Sequence, residues 1–417
     1  MKKLITTILA AALLAGCSPT KSTSTSTKEN SKTKIRMMYW NKEETVKPFL
    51  ELAAEKLPNI DIEFQFVDIN QFNGTLDAQL QAGEGPDIIP TGENPAHVKA
   101  GYLLELTDQP FIKNYSDASI ASISVDNKVY GVPGISWFEG VFYNKKIFAD
   151  NGITVPKTFD EMMNVHKILK EKGILQQAWG AKSWEPFAKS ALGLAVVDYL
   201  QTANGKGFDQ SINEGTGKFA NSELKPIIEK WSQYFKDGYV TQDMLQIDYD
   251  TALKQFATGE AAMWESGPWA IQAIKEANPD LDFDMMPFVG TKEGNNYLIG
   301  GPGVTFGVNA KSEHQEEALK VLELMATPEG QQALCAGSPG SGSFLKGADI
   351  PLPEQFTGVM EVLNSGHVYC PWFVWKGSDA YNTALGKGLQ EVLQGNMTID
   401  KVLEDMDQKV AEQQALK

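Results

Sequence analysis

From residue 34 onward the chain alternates short apolar runs with amphipathic stretches. Lys34 to Trp40 reads as a short strand. Phe49, Leu50, Ala53 and Leu57 then share one helical face, with Thr45 as the candidate cap and Pro58-Asn59 as the stop. Ile60, Ile62, Phe64 and Phe66 alternate with Asp61, Glu63 and Gln65, the period of two that marks a half-buried strand. A helix carrying Phe72, Leu76 and Leu80 follows, and GEGPDIIP turns the chain into a short buried strand. A β-α-β-α-β opening of this kind predicts an α/β fold with a mainly parallel sheet covered by helices.

The alternation continues. Thr158 and Glu161 form a capping box ahead of Met162, Val165 and Leu169, and Ser312 and Gln315 form another ahead of Ala318, Val321, Leu322 and Met325. Thr327-Pro328 opens a further short helix. Ser222 opens a helix whose inner stripe is Leu224, Ile227, Ile228, Trp231 and Phe235, which makes Trp231 a core residue. Two helices, 379–394 and 398–415, close the chain, and no internal repeat is visible.

The first 33 residues break this pattern. MKK followed by the twelve-residue apolar run LITTILAAALLA is too short to span a bilayer and suits a secretory signal. It ends in Leu14-Ala15-Gly16-Cys17, which resembles the lipobox of bacterial lipoproteins. That resemblance implies cleavage after residue 16, diacylation of Cys17 and attachment at the outer face of the cytoplasmic membrane. Residues 18–33 are rich in Ser, Thr and Lys and hold nothing to pack, so they read as a flexible tether reaching roughly 20–25 Å.

Charge and cysteine narrow the function classes. The 417 residues suffice for two domains. Net charge is −16, and seven Lys/Arg against one Glu in the first 36 residues leave the remaining body at −22. Such a body repels phosphate backbones, so no nucleic-acid partner is expected. Four histidines and no CxxC or HExxH spacing point to no metal and no cofactor. Cys335 and Cys370 either pair in an oxidising exterior or stay as two buried thiols.

Three Gly/Pro-dense stretches, 130–140, 299–303 and 336–343, are either ordinary loops or places where the chain passes between two lobes. The tryptophans supply the candidate chemistry. Of nine, only Trp231 fits a helical stripe cleanly; Trp40, Trp137, Trp269 and others fall at predicted strand ends and helix starts, where open α/β sheets bind ligands. An indole face covers the C–H face of a pyranose, and neighbouring carboxylates accept its hydroxyls through charge-assisted hydrogen bonds. Trp40 with Glu43 and Glu44, Trp137 with Glu139, and Trp269 with Glu265 are such pairings. Taken singly, each loop tryptophan also suits packing at a domain edge. An acidic aromatic cleft suits a polyamine as well, and a pair of carboxylates beside tryptophans suits a glycoside hydrolase.

Four stretches then resemble one family: GPDII at 85–89, YGVPGISWFEGVFYNKKIFADNGITVPKTFDE at 130–161, LKQFATGEAAMWESGPWAI at 253–271 and GVNAKSEHQEEALKVLELMATPEGQQAL at 307–334. In this order, behind a lipobox, they resemble the extracellular solute-binding proteins of ABC sugar importers, the group that includes maltose-binding protein. The resemblance implies a two-lobed, type II-like periplasmic-binding-protein fold with the ligand cleft between the lobes and three hinge crossings. It implies an N-terminal lobe of 34–140 plus 300–338 and a C-terminal lobe of 141–299 plus 339–417. It implies a monomeric, non-enzymatic receptor that hands a neutral oligosaccharide to ABC permease subunits in the membrane; a polyamine or other small cargo on the same fold is the alternative.

The residues carried over are few. Trp269 matches the sugar-stacking tryptophan of the GPW segment. Asn94 matches a polar contact that is an acid in the maltose binder, and Glu43 or Glu44 matches the polar group just after the first strand. Trp137 stands where the maltose binder has a Glu, which implies a different sugar preference. Trp184, Trp372 and Trp375 lie in regions that face the cleft in relatives. Trp264 is on the strand before Trp269 and either faces the ligand or packs against its own lobe.

Overall fold

A computed structural model describes residues 32–415 apart from 206, 349 and 376, and leaves a few side chains undescribed, that of Trp372 among them. The signal, Cys17 and nearly all of the tether lie outside the described residues.

Among the described residues, ten strands sort into two five-stranded sheets, one per lobe. β1 (Thr33–Tyr39), β2 (Ile60–Phe66) and β3 (Ile88–Ile89) are joined by right-sized helical crossovers, and both pairings are parallel, with Thr33 opposite Ile60 and Met37 opposite Ile88. β4 (Val132–Pro133) ends this first run of the chain in the N-terminal lobe. β5 (Ser136–Asn144), β6 (Leu175–Ala178), β7 (Ala261–Ser266), β8 (Phe283–Met286) and β9 (Ile299–Pro302) build the second sheet, in the order β6-β7-β5-β8, with β9 paired to the start of β5. β10 (Thr305–Val308) returns to the first sheet, antiparallel between β3 and β4, giving β2-β1-β3-β10-β4.

Each sheet is buried by its own helices. In the N-terminal lobe Ile35, Met37, Phe49, Ile88, Phe306 and Val321 are fully buried, each worth about 1.5–3 kcal/mol of burial. Trp231 sits at the centre of the C-terminal core, its Nε1 donating to Ser190 Oγ at 3.0 Å. That confirms the helical stripe, although the helix ends at Trp231 and a separate short turn carries Phe235. The closing pair of helices, Ser378–Gln394 and Ile399–Ala415, falls where the periodicity puts it. Cys335 and Cys370 are both buried and not joined in a disulfide, Cys335 on the helix Pro328–Ala336 of the N-terminal lobe and Cys370 in the C-terminal core.

Two local expectations fail because another partner takes the capping group, a neighbouring carbonyl in one case and a distant carboxylate in the other. Thr45 Oγ1 donates to Lys42 O, and the helix Lys47–Lys56 begins without a side-chain cap. Ser312 Oγ donates to Asp87 Oδ1 at 2.5 Å, so the helix Gln315–Met325 starts at His314 instead of at a capping box. The other box holds: Thr158 Oγ1 accepts from Glu161 N at 3.3 Å, while Glu161 Oε2 accepts from Lys157 N at 2.7 Å.

The chain passes between the two sheets within the first two Gly/Pro stretches but not within the third, and strand pairing sets the boundaries elsewhere than at 140, 300 and 338. The first crossing lies at Gly134–Ile135, because β5 is one continuous nine-residue strand and residues 136–140 belong with the C-terminal sheet. The second lies at Gly303–Val304, since β9 pairs with β5, which moves residues 300–302 to the C-terminal lobe. In the third stretch Gly342 N donates to Ser136 Oγ and Ser136 N to Gly342 O, both at 2.8 Å. The chain then returns to the N-terminal lobe, where Leu345 bridges Tyr115, before Leu352 and Phe356 join the C-terminal core. The third crossing therefore falls between 348 and 352, not at 338/339.

Glycine is needed at the first two crossings for close approach. A Cβ on Gly134 would lie 2.7 Å from the Phe306 ring and 2.8 Å from Val304 Cγ1, and one on Gly303 would overlap Ile135 O. Neither has a positive φ; Gly340, at φ +91°, is where the third stretch uses the left-handed region.

Candidate functional site

The N-terminal lobe brings two loops to the crossings, one from the carboxyl end of β1 and one from the carboxyl end of β3. After β1, Trp40 is half-buried, its ring 5.1 Å from Phe72 and 4.9 Å from Tyr39. Glu43 and Glu44 follow on an exposed 3-10 turn.

After β3, Thr91 bridges Thr305, Gly92 N donates to Thr305 O at 2.7 Å, and Gly92 packs on Gly131. Asn94 is committed to structure: its Oδ1 accepts from Ala96 N at 2.9 Å and His97 N at 3.4 Å and so caps the helix Pro95–Lys99. The acid of this loop is the preceding residue. Glu93 has a buried Oε2 without a hydrogen-bond partner. Burial pushes its carboxyl up to about 7, opposed only in part by a backbone N–H and the Thr305 hydroxyl.

That shift carries a stability cost with a definite sign. The unfolded carboxyl ionises near pH 4.5 and the folded one near 7, so stability is lost as pH rises between these values and stays lower above them. Glu93→Gln is expected to raise folding stability by about 2 kcal/mol at pH 8 and to change it little at pH 4. Urea unfolding at the two pH values checks this.

The C-terminal lobe presents the start of β5 and the end of β7. Trp137, on β5, and Trp269, on the turn Pro268–Ala270, hold their rings 6.2 Å apart at 59°. Trp269 folds back over Gly267, where any Cβ would overlap the indole. Its Nε1 donates to Tyr249 Oη at 3.1 Å, and that phenol lies 3.4 Å from Ser266 Oγ. Tyr249 remains 44% exposed, high for a large aromatic tied to a second ring. Trp264 is 2% exposed and packs on Tyr249 and Phe256. It therefore packs within its own lobe, whereas Trp269 is only half-buried.

Two residues along β5 from Trp137, on the same face of the strand, Glu139 opens a buried charge cluster. Lys189 Nζ sits 2.7 Å from Glu139 Oε1 and 3.1 Å from Glu185 Oε2. Glu265 lies opposite Val141 across the β5–β7 ladder, on the same sheet face as Glu139, with its own Oε2 buried and unpartnered. Burial raises the Glu139 carboxyl, and the Lys189 cation works against that rise. Burial and then the Glu139 charge raise Glu265 well above the usual carboxylate range. Burial opposes the charge on Lys189, but Glu139 and Glu185 outweigh it and hold the ammonium protonated. The cluster thus sets the Lys189 ammonium between Glu139 and the half-exposed Glu185, with Glu265, whose ionisation burial disfavours, beside them.

The remaining expected site residues separate. Trp184 begins the helix Glu185–Ala195 beside this cluster and packs against Gly386. Trp375 is a core residue: it is 2% exposed, edges onto Phe219, and donates Nε1 to Asp209 Oδ1 at 2.6 Å. It does not join the aromatic face. Trp372 lies on the short helix Pro371–Val374, and its side chain is outside the described residues. Trp179, also in a loop-like context by sequence, is buried against Phe187 and Trp231.

Three participants are not evident from the sequence. Tyr249 follows the helix cap Asp248, whose Oδ1 accepts from Thr251 N, and that cap is the only local signal for its position. Lys189 is visible merely as the i+4 partner of Glu185. Glu93 adjoins the expected Asn94.

Comparison with known proteins fits this geometry. The description "Bacterial extracellular solute-binding protein" matches residues 44–356, and a prokaryotic membrane lipoprotein lipid attachment site matches residues 1–18. The chain is 26% identical over 333 residues to the multiple sugar-binding protein of Streptococcus mutans, covering 78% of this chain and 77% of that one. It is 24% identical over 416 residues to the maltodextrin-binding protein MdxE of Bacillus subtilis, covering 95% of each. Among solved structures it is similar to a family 1 extracellular solute-binding protein from Bifidobacterium longum subsp. infantis, with a TM-score of 0.72, 24% identity and coverage of 92% of this chain and 100% of the other. It is also similar to the apo-form of RafE from Streptococcus pneumoniae, with a TM-score of 0.71, 21% identity and coverage of 91% and 97%. The two structural likenesses establish the shared fold.

Proposed function

The chain belongs to the bacterial extracellular solute-binding protein family, and from that premise we propose that it is a lipid-anchored receptor that binds a neutral oligosaccharide and delivers it to an ABC permease. The observation that carries the ligand class is the aromatic face of Trp137, Trp269 and Tyr249, which stands across three chain crossings from the loops after β1 and β3. Two indoles and a phenol offer broad apolar area and few fixed charges, which suits pyranose rings. The names of the relatives agree: a multiple sugar-binding protein, a galactooligosaccharide-binding protein and a maltodextrin-binding protein.

The charge cluster favours a neutral ligand over a polyamine. A polyamine needs ionised, unpaired carboxylates, whereas Glu139 is already matched by Lys189, and burial works against ionising Glu265. Hydrolysis needs two carboxyls on either side of the bond to be cut, whereas Glu139 and Glu265 are buried and Glu139 is held by Lys189. The work of such a receptor is differential affinity. Ligand touches both lobes only when they close, so it shifts the open–closed equilibrium toward the closed form. Lipid on Cys17 and the 18–33 tether hold the body near the outer face of the membrane, an arrangement that suits a single-membrane cell with a thick wall. A monomer suffices, because one chain supplies both halves of the cleft.

The test is a saccharide panel with spermidine as the contrast. A cognate oligosaccharide at a hundred times its Kd adds about 2.7 kcal/mol of stability, which raises the melting temperature by about 3 °C for a chain of this size. Spermidine produces no shift, and no glycosidic bond is released. A flat response to every saccharide, or a shift with spermidine alone, overturns the reading.

A further inference from the structure

Past β9 the C-terminal sheet has one more short edge. Leu298 N donates to His367 O and Tyr369 N to Leu298 O, both at 3.0 Å, and Leu298 and Val368 form a parallel bridge. β9 itself runs antiparallel to β5, with Gly301 opposite Trp137. The 367–369 segment therefore follows the direction of β9, toward the end of the sheet where Trp137 stands. The chain then turns through the short helix Pro371–Val374. Trp137, Trp184, Tyr369 and Val374 all pack, partly buried, against the same core.

This turn is held from one helix. Asp209 and Asn213 lie four residues apart on the helix Phe208–Glu214, hence on one face of it. Asp209 Oδ2 accepts from the Tyr369 hydroxyl, and Asp209 Oδ1 accepts from Trp375 Nε1 at 2.6 Å. Asn213 Nδ2 donates to Val374 O at 2.8 Å. Tyr369 and Trp375 bracket the turn, so three hydrogen bonds fix both of its ends. The helix is itself anchored: the Phe208 ring lies 5.7 Å from that of Phe219, and Asn213 O accepts from Gln414 Nε2 of the closing helix at 3.1 Å.

The group at position 209 has a definite chemistry. Both of its partners are donors, and a carboxylate offers an acceptor oxygen to each; an amide has one acceptor and would turn N–H groups on the other donor. Bonds to an ionised acceptor are also the stronger kind. Trp375 is buried in the core and Tyr369 is half-buried at its edge, so the carboxylate ties the margin of the sheet to the interior.

We propose that Asp209 is a positioning residue for saccharide binding: it holds the 370–374 turn as a fixed wall beside Trp137, and that wall sets which saccharide fits. The inference rests on the neutral-saccharide reading above and names a source of selectivity within it. Asp209 acts through the turn and not by contact with the ligand, since each of its oxygens already has a partner. A wall ordered in the free protein spares the ligand the cost of ordering it, and it rejects a sugar of the wrong shape because it does not yield.

The experiment is calorimetric titration of the wild type, Asp209→Ala and Tyr369→Phe with two saccharides, the tightest binder of the panel and one that differs from it by a single sugar unit. Asp209→Ala is expected to raise the Kd of the first about tenfold, the cost of ordering a loop on binding, and to bring the ratio of the two Kd values about threefold closer to one. Dissociation followed by tryptophan fluorescence should quicken by about the same tenfold factor. Tyr369→Phe removes one hydroxyl and no ring, and should act in the same direction by about threefold. The double variant should bind no more weakly than Asp209→Ala, because the bond from Tyr369 is already lost. If Asp209→Ala unfolds, Tyr369→Phe alone gives the same readings. Unchanged Kd values, or both saccharides weakened equally with their ratio kept, overturn the inference; the second result would make Asp209 a support of the lobe alone. A panel without any binding saccharide instead overturns the reading on which the inference rests.

Discussion

Replacing Trp269 with alanine is expected to weaken saccharide binding by about 100-fold while leaving the fold in place. The size follows from the position. Aromatic anchors at the centre of an interface commonly cost 2 kcal/mol or more on truncation, and about 2.7 kcal/mol corresponds to two powers of ten. The ring is half-buried, sits on a turn and packs on the C-terminal core from its edge, so its loss trims that edge and leaves the centre of the core filled. The substitution also frees the Tyr249 phenol from its 3.1 Å partner, which loosens the second aromatic of the face. Trp137→Ala should act in the same direction, and the double variant should lose less than the sum because the two rings touch. Calorimetric titration with far-UV dichroism as the fold control separates loss of binding from loss of structure.

Lys189→Met is expected to produce the largest stability effect, about 3–5 kcal/mol at pH 7. Methionine keeps the length and apolar stem of lysine but leaves Glu139, which is 3% exposed, buried without its counter-charge. Glu139 then recovers by taking a proton. Its folded pKa, already raised by burial, rises further, so the loss is greatest above that value and shrinks as pH falls toward the unfolded carboxylate range near 4.5. The double variant Lys189→Met, Glu139→Gln should regain most of the stability, since replacing both members of a buried pair costs far less than removing one. Urea unfolding at pH 5 and pH 8 reads both effects. A double variant no more stable than the single one would mean that the lysine acts through packing on Glu185 and the surrounding helices.

The periodic parts of this chain are legible because the period is local. The first three strands and their parallel order follow from alternation and stops within residues 34–89, and Trp231 follows from the helical stripe around it. The tryptophans outside stripes are not separable in the same way. Trp269 and Trp375 both sit in a proline-, aromatic- and glycine-bearing stretch, yet one is half-buried beside Trp137 and the other is in the core. The difference is Asp209, 166 residues from Trp375, which accepts from its indole and from the Tyr369 hydroxyl. Capping fails for the same reason at Ser312, whose hydroxyl is drawn to Asp87 across 225 residues. Asn94 was legible as a polar group of the right loop, but its oxygen closes a helix and the neighbouring carboxyl is the one left unpartnered. Pairing decides where the chain passes between sheets: β5 keeps residues 136–140 with the C-terminal sheet, and the Tyr115–Leu345 bridge ties the segment after the third stretch to the N-terminal lobe.

Small-angle X-ray scattering of the unlipidated protein, with and without the saccharide that raises its melting temperature, bears most directly on two lobes closing over an uncharged sugar held on Trp137 and Trp269. The wild-type radius of gyration should fall on saturation, and at the same free ligand concentration the Trp137→Ala, Trp269→Ala variant should keep the larger radius of the ligand-free protein. Saturated binding with no change in radius, or full closure in the double variant, would contradict it.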